Sequence, residues 1–428
     1  MFHNTLQFAS EADLNDPLKG FREKFFFPLI NGKEALYFTG NSLGLQPKTT
    51  QHYVLNELED WATFGVEGHF HSRMPWFSYQ DFLTSQIADL LGAKPVEVVS
   101  MNSLTTNLHL LLISFYRPTK TRFKIICEYD AFPSDLYAVQ SQASFHGFDP
   151  EEAVIYLKPR QGEIALRDED VLRAIHEHGD SLATVMLGAV NYYTGEFFDL
   201  AAVSAAAHQV GATAGFNLAH AAGNVELKLH DWDVDYACFC SYKYLNAGPG
   251  GVSGIFVHER HADDETLPRL AGWWGNDPDT RFKMPRLFVP ARGARSWQQS
   301  NAPVLSMAAL KASLDIFSEA GMMKSLREKS EKLTGFLEFI LNDINRSLKD
   351  PALNIITPED PKRRGCQLSV VFKKDGRRIF DELTSRGVVV DWREPDVIRM
   401  APVPLYNSFE DVFLLGQALS EVISGISD

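Results

Sequence analysis

The stretch "VDYACFCSYKYLNAGPGG", residues 234–251, combines the clearest strand pattern of the chain with a lysine at its end. Its apolar run is typical of a buried strand, and Lys243 follows between two tyrosines, just before a glycine-rich turn. Ligands of parallel sheets bind at the carboxyl ends of the strands. The stretch therefore predicts a strand that carries an ammonium group to the ligand-binding edge of a sheet.

Apolar runs alternate with helical patterns through residues 96–260, which places this strand in a larger sheet. The helical pattern "DLAAVSAAAHQVG" (199–211) has Asp199 as its N-cap and ends at Gly211. This alternation predicts an α/β fold with a mostly parallel sheet and helices on both faces. The apolar runs are "VEVVSM" (96–101), "FKIICEY" (123–129), "SLATVMLGAV" (181–190), "ATAGFNL" (212–218), "VDYACFC" (234–240) and "GGVSGIFVHE" (250–259).

The pattern changes after about residue 305. Long amphipathic helices precede a charged, Pro-containing loop, and short strand and helix patterns follow it. We predict an N-terminal segment (1–36) that packs on a small domain, a large ligand-binding domain (37–305) and a small C-terminal α+β domain (306–428).

Composition excludes several classes of protein. The formal net charge of −14 opposes binding to nucleic acid, because phosphate contacts require clustered Lys and Arg. The N-terminus lacks the charged and apolar regions of a signal peptide, and no apolar run approaches the roughly 18 residues of a membrane span. We predict a cytoplasmic protein that binds neither nucleic acid nor a membrane.

Other short motifs are weak signals for chemistry. The four cysteines lack metal-site or disulfide-scaffold spacing and are expected to be small buried hydrophobes. "GNSLG" (40–44) matches G-x-S-x-G, but Pro47 follows where the helix of a hydrolase elbow would run. "HERH" (258–261) and "HEH" (176–178) do not have the spacing of a helical metal pair, so we interpret them as surface histidines and predict no metal site.

Lys243 has two interpretations. A lysine at a strand end often extends to solvent. Desolvation instead lowers its pKa from about 10.4 and permits Schiff-base chemistry. The segment Ser103–Thr106 lies between a strand and a helix, where backbone N–H groups bind phosphate. A lysine capable of Schiff-base chemistry and a phosphate site at a helix N-terminus together indicate pyridoxal phosphate.

Ten collinear motifs between about residues 37 and 411 resemble the kynureninase family of fold-type I pyridoxal-phosphate enzymes. The resemblance implies a seven-stranded-type sheet and hydrolysis of L-kynurenine or 3-hydroxy-L-kynurenine to L-alanine and anthranilate or 3-hydroxyanthranilate. It places the cofactor on Lys243. The motifs are "FTGNSLGLQP", "MNSLTTNLHLL", "AFPSD", "NYYTG", "GFNLAHAAGNVELKLHDWDVD", "SYKYLNAGPGG", "GWWGND", "RFKM", "SNAP" and "APVPLYNSFED".

The same resemblance implies the site residues. Tyr242 is a candidate proton relay or phosphate ligand beside Lys243. Ser42, His69, Asn301 and Arg399 are expected to contact the substrate, with Arg399 binding the α-carboxylate. Trp273 and Asn301 are expected to come from a partner subunit, which implies a homodimer with shared active sites. The residues expected to bind cofactor are Leu104, Thr105, Phe132, Pro133, Ser134, Asp135, Gly188, Asn217, His220, Tyr242, Lys243, Trp273 and Asn301.

Two positions depart from the family pattern. Asn217 stands where the family has an aspartate that pairs with the ring nitrogen of the cofactor, and Gly188 replaces a hydroxyl residue. A neutral amide hydrogen-bonds to the ring nitrogen without supplying charge. A pseudoenzyme or low-activity variant therefore stays open as an alternative. A cysteine desulfurase is a further alternative, although no cysteine lies in an evident polar loop.

Overall fold

The computed structural model describes residues 2–262 and 264–427. The strands are β1 (Leu29–Ile30), β2 (Lys33–Glu34), β3 (Leu36–Tyr37), β4 (Val98–Ser100), β5 (Lys124–Glu128), β6 (Val154–Leu157), β7 (Leu182–Gly188), β8 (Thr213–Asn217), β9 (Tyr236–Phe239), β10 (Gly254–Val257), β11 (Leu353–Ile355), β12 (Leu368–Phe372), β13 (Val388–Val389), β14 (Asp391–Arg393) and β15 (Val397–Met400).

Thirteen α-helices are present in the described residues. They are α1 (Leu6–Leu14), α2 (Thr50–Phe64), α3 (Gly68–His71), α4 (Asp81–Leu91), α5 (Leu104–Phe115), α6 (Pro133–Phe145), α7 (Pro150–Ala153), α8 (Asp168–Glu177), α9 (Leu200–Gln209), α10 (Val304–Glu319), α11 (Met322–Ser347), α12 (Gly376–Ser385) and α13 (Phe409–Ser427). Within the described residues, none of these helices is long and apolar enough to cross a membrane.

Seven strands form the central sheet in the order β4-β10-β9-β8-β7-β5-β6. Strands β6, β5, β7, β8 and β9 are parallel, whereas β10 pairs antiparallel with both β9 and β4. The predicted mostly parallel α/β fold is therefore confirmed. Its six predicted apolar runs become β4, β5, β7, β8, β9 and β10. Strand β6 is missing from the predictions because it is an edge strand whose middle residues are only half-buried.

The local signals in the sequence operate as predicted at α9. The Asp199 carboxylate accepts a hydrogen bond from the Ala202 N–H at 3.0 Å, which satisfies a free donor of the first turn. Gly211 follows the end of the helix with a φ of +74°, a conformation that favours glycine. The helix therefore ends where β8 must begin.

The C-terminal part contains a four-stranded antiparallel sheet, β11-β12-β15-β14, which packs against α11 and α13. Helix α1 contributes Ala9 to this core, and α10 contributes Met307 and Leu314 to the core of the central sheet. The three-part division of the chain stays a prediction.

Candidate active site

Neighbouring strands of the central sheet bring polar residues to one pocket at their carboxyl ends. Glu128, Gly188 and Asn217 are the last residues of β5, β7 and β8, and all three line the pocket. Lys243 enters it from the turn after β9. The cavity has a volume of about 260 Å³. The rule that parallel sheets bind ligands at this edge thus locates the site.

Lys243 and His220 form the centre of the pocket. The Lys243 Nζ lies 3.1 Å from the His220 Nε2 and 5.8 Å from the centroid of the Phe132 ring. Burial lowers the pKa of Lys243, and the Arg399 charge lowers it further, although Cys240 and Asp135 oppose this. Burial and the Lys243 charge hold the pKa of His220 well below its usual range. A neutral imidazole therefore faces an amine whose proton is weakly held.

The N-terminus of α5 forms one wall of the pocket. Ser103 precedes the helix in extended conformation, and its side chain does not cap the first turn. Its Oγ instead lies 3.0 Å from the Oγ1 of Thr106. The pocket also touches Leu104 and Thr105, so backbone N–H groups at this helix end are available to an anion.

A buried polar cluster lines the pocket at the ends of β5 and β8. The Asn217 Nδ2 donates to both carboxylate oxygens of Asp135, at 2.9 and 2.7 Å. The Glu128 Oε1 accepts the Gly188 N–H at 2.9 Å, whereas its Oε2 is buried without a partner in the described residues. Burial raises the pKa of Asp135 to about 6 and that of Glu128 to about 8.

Arg399 borders this pocket through Tyr192. Its Nη1 donates to the Tyr192 carbonyl at 2.8 Å, and Tyr192 lines the pocket. Its Nε and Nη2 face the Asp391 carboxylate at 3.0 and 2.8 Å. The Nε donates to this carboxylate, whereas Nη2 is buried without a hydrogen-bond partner in the described residues and stays available to a substrate carboxylate.

Most of the predicted site residues lie together at this pocket. Those that line it are Leu104, Thr105, Phe132, Ser134, Asp135, Gly188, Asn217, His220, Tyr242 and Lys243. Pro133 begins α6 between two of them. The segment of Ser42 is adjacent, because the Gly44 N–H donates to the Tyr242 carbonyl at 2.9 Å.

Six predicted residues are not among those that line the pocket. Ser42, Pro133 and Arg399 are adjacent to it, as described above, and the other three lie elsewhere. His69 lies in α3, where its Nδ1 is 2.9 Å from the Val66 carbonyl and its ring is 5.5 Å from the ring of Trp76. Trp273 and Asn301 are exposed, and Trp273 packs against Phe282.

The structure adds Glu128, Asn191 and Tyr192 to the site. Glu128 ends "KIICE" just as Lys243 follows "ACF", so the strand-end rule that located Lys243 also predicts Glu128. Asn191 and Tyr192 belong to the motif "NYYTG", to which no role was given.

The interpretation of His258 as a surface histidine is wrong. His258 is buried, and its ring stacks on that of His230 at 4.8 Å beside the buried Glu97 carboxylate. His258 directly follows "GIFV", the fully buried strand β10, which carries the ring into the core.

The comparisons with known proteins agree with this fold. Residues 326–419 match the kynureninase C-terminal domain. A kynureninase of Flavobacterium psychrophilum is 53% identical over 423 residues, 99% of each chain. A kynureninase of Myxococcus xanthus is 54% identical over 414 residues, 96% of each chain. The kynureninase of the animal Nematostella vectensis is 49% identical over 95% of this chain and 91% of its own.

Solved structures share the fold at low identity. The cystine C-S lyase C-DES, in complex with its product cysteine persulfide, has a TM-score of 0.76 at 18% identity, over 90% of this chain and 97% of its own. An apo cysteine desulfurase from Thermococcus onnurineus has a TM-score of 0.73 at 16% identity, over 97% of this chain and 98% of its own.

Proposed function

The chain belongs to the kynureninase family, and we propose on that premise that the pocket around Lys243 is its active site. The enzyme is a pyridoxal-phosphate-dependent hydrolase that cleaves a carbon–carbon bond of kynurenine. Its substrate is L-kynurenine, the 3-hydroxy form or both, and its products are L-alanine and anthranilate or 3-hydroxyanthranilate. The observation that carries this proposal is Lys243 itself, a strand-end amine 3.1 Å from a buried neutral histidine.

Pyridoxal phosphate fits the groups that the pocket leaves without protein partners. The uncapped N-terminus of α5 offers backbone N–H groups to a phosphate. The Phe132 ring is 41% exposed at the pocket and offers a flat face to an aromatic ring. The Nδ1 of His220 is buried without a partner in the described residues, so it can hydrogen-bond to a bound group.

When bound, this cofactor supplies an aldehyde for the substrate amine and a conjugated ring that takes up electron density from the α-carbon. Lys243 would hold the cofactor through its Nζ and, as a free amine, would take the proton from the α-carbon of the substrate. Its lowered pKa favours the neutral amine that this step requires. His220, neutral and 3.1 Å away, accepts a hydrogen bond from the Nζ and orients it.

Tyr242 and Arg399 complete the proposed chemistry. Burial raises the pKa of the Tyr242 hydroxyl, so it stays protonated and could donate a proton to the β-carbon of the fragment that becomes alanine, while water adds to the carbonyl carbon that leaves as the carboxylate of anthranilate. Arg399 binds the α-carboxylate through Nη2, the guanidinium nitrogen that has no hydrogen-bond partner in the described residues. Ser42 and His69 contact the aromatic ketone in this proposal.

We also propose a homodimer in which Trp273 and Asn301 reach the partner's pocket. Support comes from the segment 270–289, which exposes an unusual number of large apolar side chains and contains Trp273. Apolar surface of this kind marks an interaction site. The exposed side chains are Leu270, Trp273, Phe282, Met284, Leu287, Phe288 and Val289. The cytoplasmic location stays a prediction.

A desulfurase function has less support than hydrolysis. All four cysteines are buried, and burial raises the pKa of each thiol, in Cys366 to about 12. A catalytic cysteine needs the opposite, an exposed thiol with a low pKa. The similarity to the desulfurase structures, at 16–18% identity, is therefore a similarity of fold.

Product formation tests the proposal. Purified protein saturated with pyridoxal phosphate is incubated with L-kynurenine and, separately, with 3-hydroxy-L-kynurenine, and the anthranilate products and alanine are measured. We expect product from the wild type and none from Lys243→Ala. Full cofactor loading with no product from either substrate would overturn the proposal and favour the pseudoenzyme.

A further inference from the structure

The side chain of Asn217 has a defined orientation that its position in the sequence does not reveal. Its Nδ2 donates to both oxygens of Asp135, and its Oδ1 accepts the Ala219 N–H at 2.9 Å. The reversed amide would place its oxygen against a carboxylate and its NH₂ against an N–H donor. Asn217 therefore presents a carbonyl oxygen whose second lone pair is free to accept another hydrogen bond.

Asp135 is a buried carboxyl group without an ion pair in the described residues. It is 8% exposed, lines the pocket in the first turn of α6 and is bonded by the Asn217 amide and the Ser134 hydroxyl. The Lys243 charge also stabilises its ionised form, against the burial that raises its pKa to about 6. At neutral pH this group is mainly a carboxylate.

We propose that Asp135 supplies, through the Asn217 amide, the negative charge that keeps the ring nitrogen of the bound cofactor protonated. Asn217 contacts the ring nitrogen, and Asp135 is a positioning residue that acts through it. The inference rests on the proposed function, since it needs pyridoxal phosphate in this pocket.

The physical reason is polarisation. An amide whose NH₂ donates to a carboxylate carries more negative charge on its oxygen, and hydrogen bonds in a chain strengthen one another in a low-dielectric site. Charge-assisted hydrogen bonds are also roughly twice as strong as neutral ones. In the Asp135–Asn217 pair the charge thus comes from a carboxylate one residue further from the ring than the aspartate that the family has at position 217.

The alternative is that Asp135 only holds Asn217 in place. An exchange series separates the two roles. Asp135→Asn keeps a hydrogen-bond acceptor of the same size and removes the charge. The double variant Asp135→Asn, Asn217→Asp returns one carboxylate to the pair at position 217. Asp130→Asn is the matched control, because Asp130 is an exposed carboxylate in the same segment.

The readout is the ¹⁵N NMR signal of the ring nitrogen in protein reconstituted with ¹⁵N-labelled pyridoxal phosphate at neutral pH. We expect a protonated ring nitrogen in the wild type, the control and the double variant, and a largely unprotonated one in Asp135→Asn. The dissociation constant of the cofactor should rise by roughly tenfold in Asp135→Asn and recover in the double variant.

Two results would overturn the inference. One is a ring nitrogen that stays protonated in Asp135→Asn, which would leave Asp135 a structural role. The other is an unprotonated ring nitrogen in the wild type, a measurement that does not depend on any variant folding. Both need bound cofactor but no turnover, so a failure to form anthranilate would not be confused with either.

Discussion

We expect the wild-type protein to lose stability as the pH becomes alkaline, and we expect Glu128→Gln to lose much less. Glu128 ends β5 and is 3% exposed, and its Oε1 accepts the Gly188 N–H. Burial, with a smaller effect of the Asp135 charge, raises its pKa from 4.5 to about 8. Glutamine has the shape and neutrality of the protonated acid, so it keeps the hydrogen bond and removes the titration.

The sign follows from the direction of the pKa change. Between pH 4.5 and about 8 the folded protein binds a proton here that the unfolded chain has released. The contribution of Glu128 to stability is therefore fully present below about pH 4.5 and is lost as pH rises through about 8. At about 1.4 kcal/mol for each pH unit, the loss between about pH 5 and about pH 9 is on the order of 4 kcal/mol.

The assay is urea unfolding of the cofactor-free protein across this pH range. The free energies of unfolding of wild type and Glu128→Gln should agree near pH 5, and the variant should become the more stable protein near pH 9. Glu23→Gln, at an exposed position, is the control and should follow the wild type. Parallel curves for wild type and Glu128→Gln would refute the reasoning, because they would mean that Glu128 does not titrate differently on folding.

Two further predictions concern the substrate and the partner subunit. Arg399→Lys should raise KM by roughly tenfold to a hundredfold with a smaller change in kcat, because an ammonium lacks the guanidinium fork. Arg377→Lys, on the exposed face of α12, is the control. An unchanged KM in Arg399→Lys would show that Arg399 does not bind the substrate. Lys243→Ala and Asn301→Ala should each be inactive alone. When the two variants are refolded together, each mixed dimer should contain one intact site, with Lys243 from one subunit and Asn301 from the other, and activity should return. Mixtures that stay inactive would contradict shared active sites.

Much of the fold is predictable because buried parallel strands have a distinctive composition. Strands covered on both faces appear as short apolar runs, and β7, β8 and β9 are of this kind. Strand β6 lies at the sheet edge, where half-buried residues weaken that signal. The prediction for His258 failed for a different reason. The charged residues Glu259 and Arg260 follow it and favour an exposed segment, although the fold buries the His258 ring.

The α/β fold, the strand end that carries Lys243 and the family could be predicted from the amino-acid sequence, because they depend on local pattern and on motif identity. The pairing of the polar groups could not, because it depends on how distant segments pack. Asp135 and Asn217 are 82 residues apart, and Glu128 and Gly188 are 60 apart, yet each pair shares a hydrogen bond in a buried site. The charge of a buried group depends on which neighbours replace its water, and those neighbours come from distant strands. The sequence therefore showed that position 217 is an amide, whereas only the fold showed that the Asp135 carboxylate lies beside it.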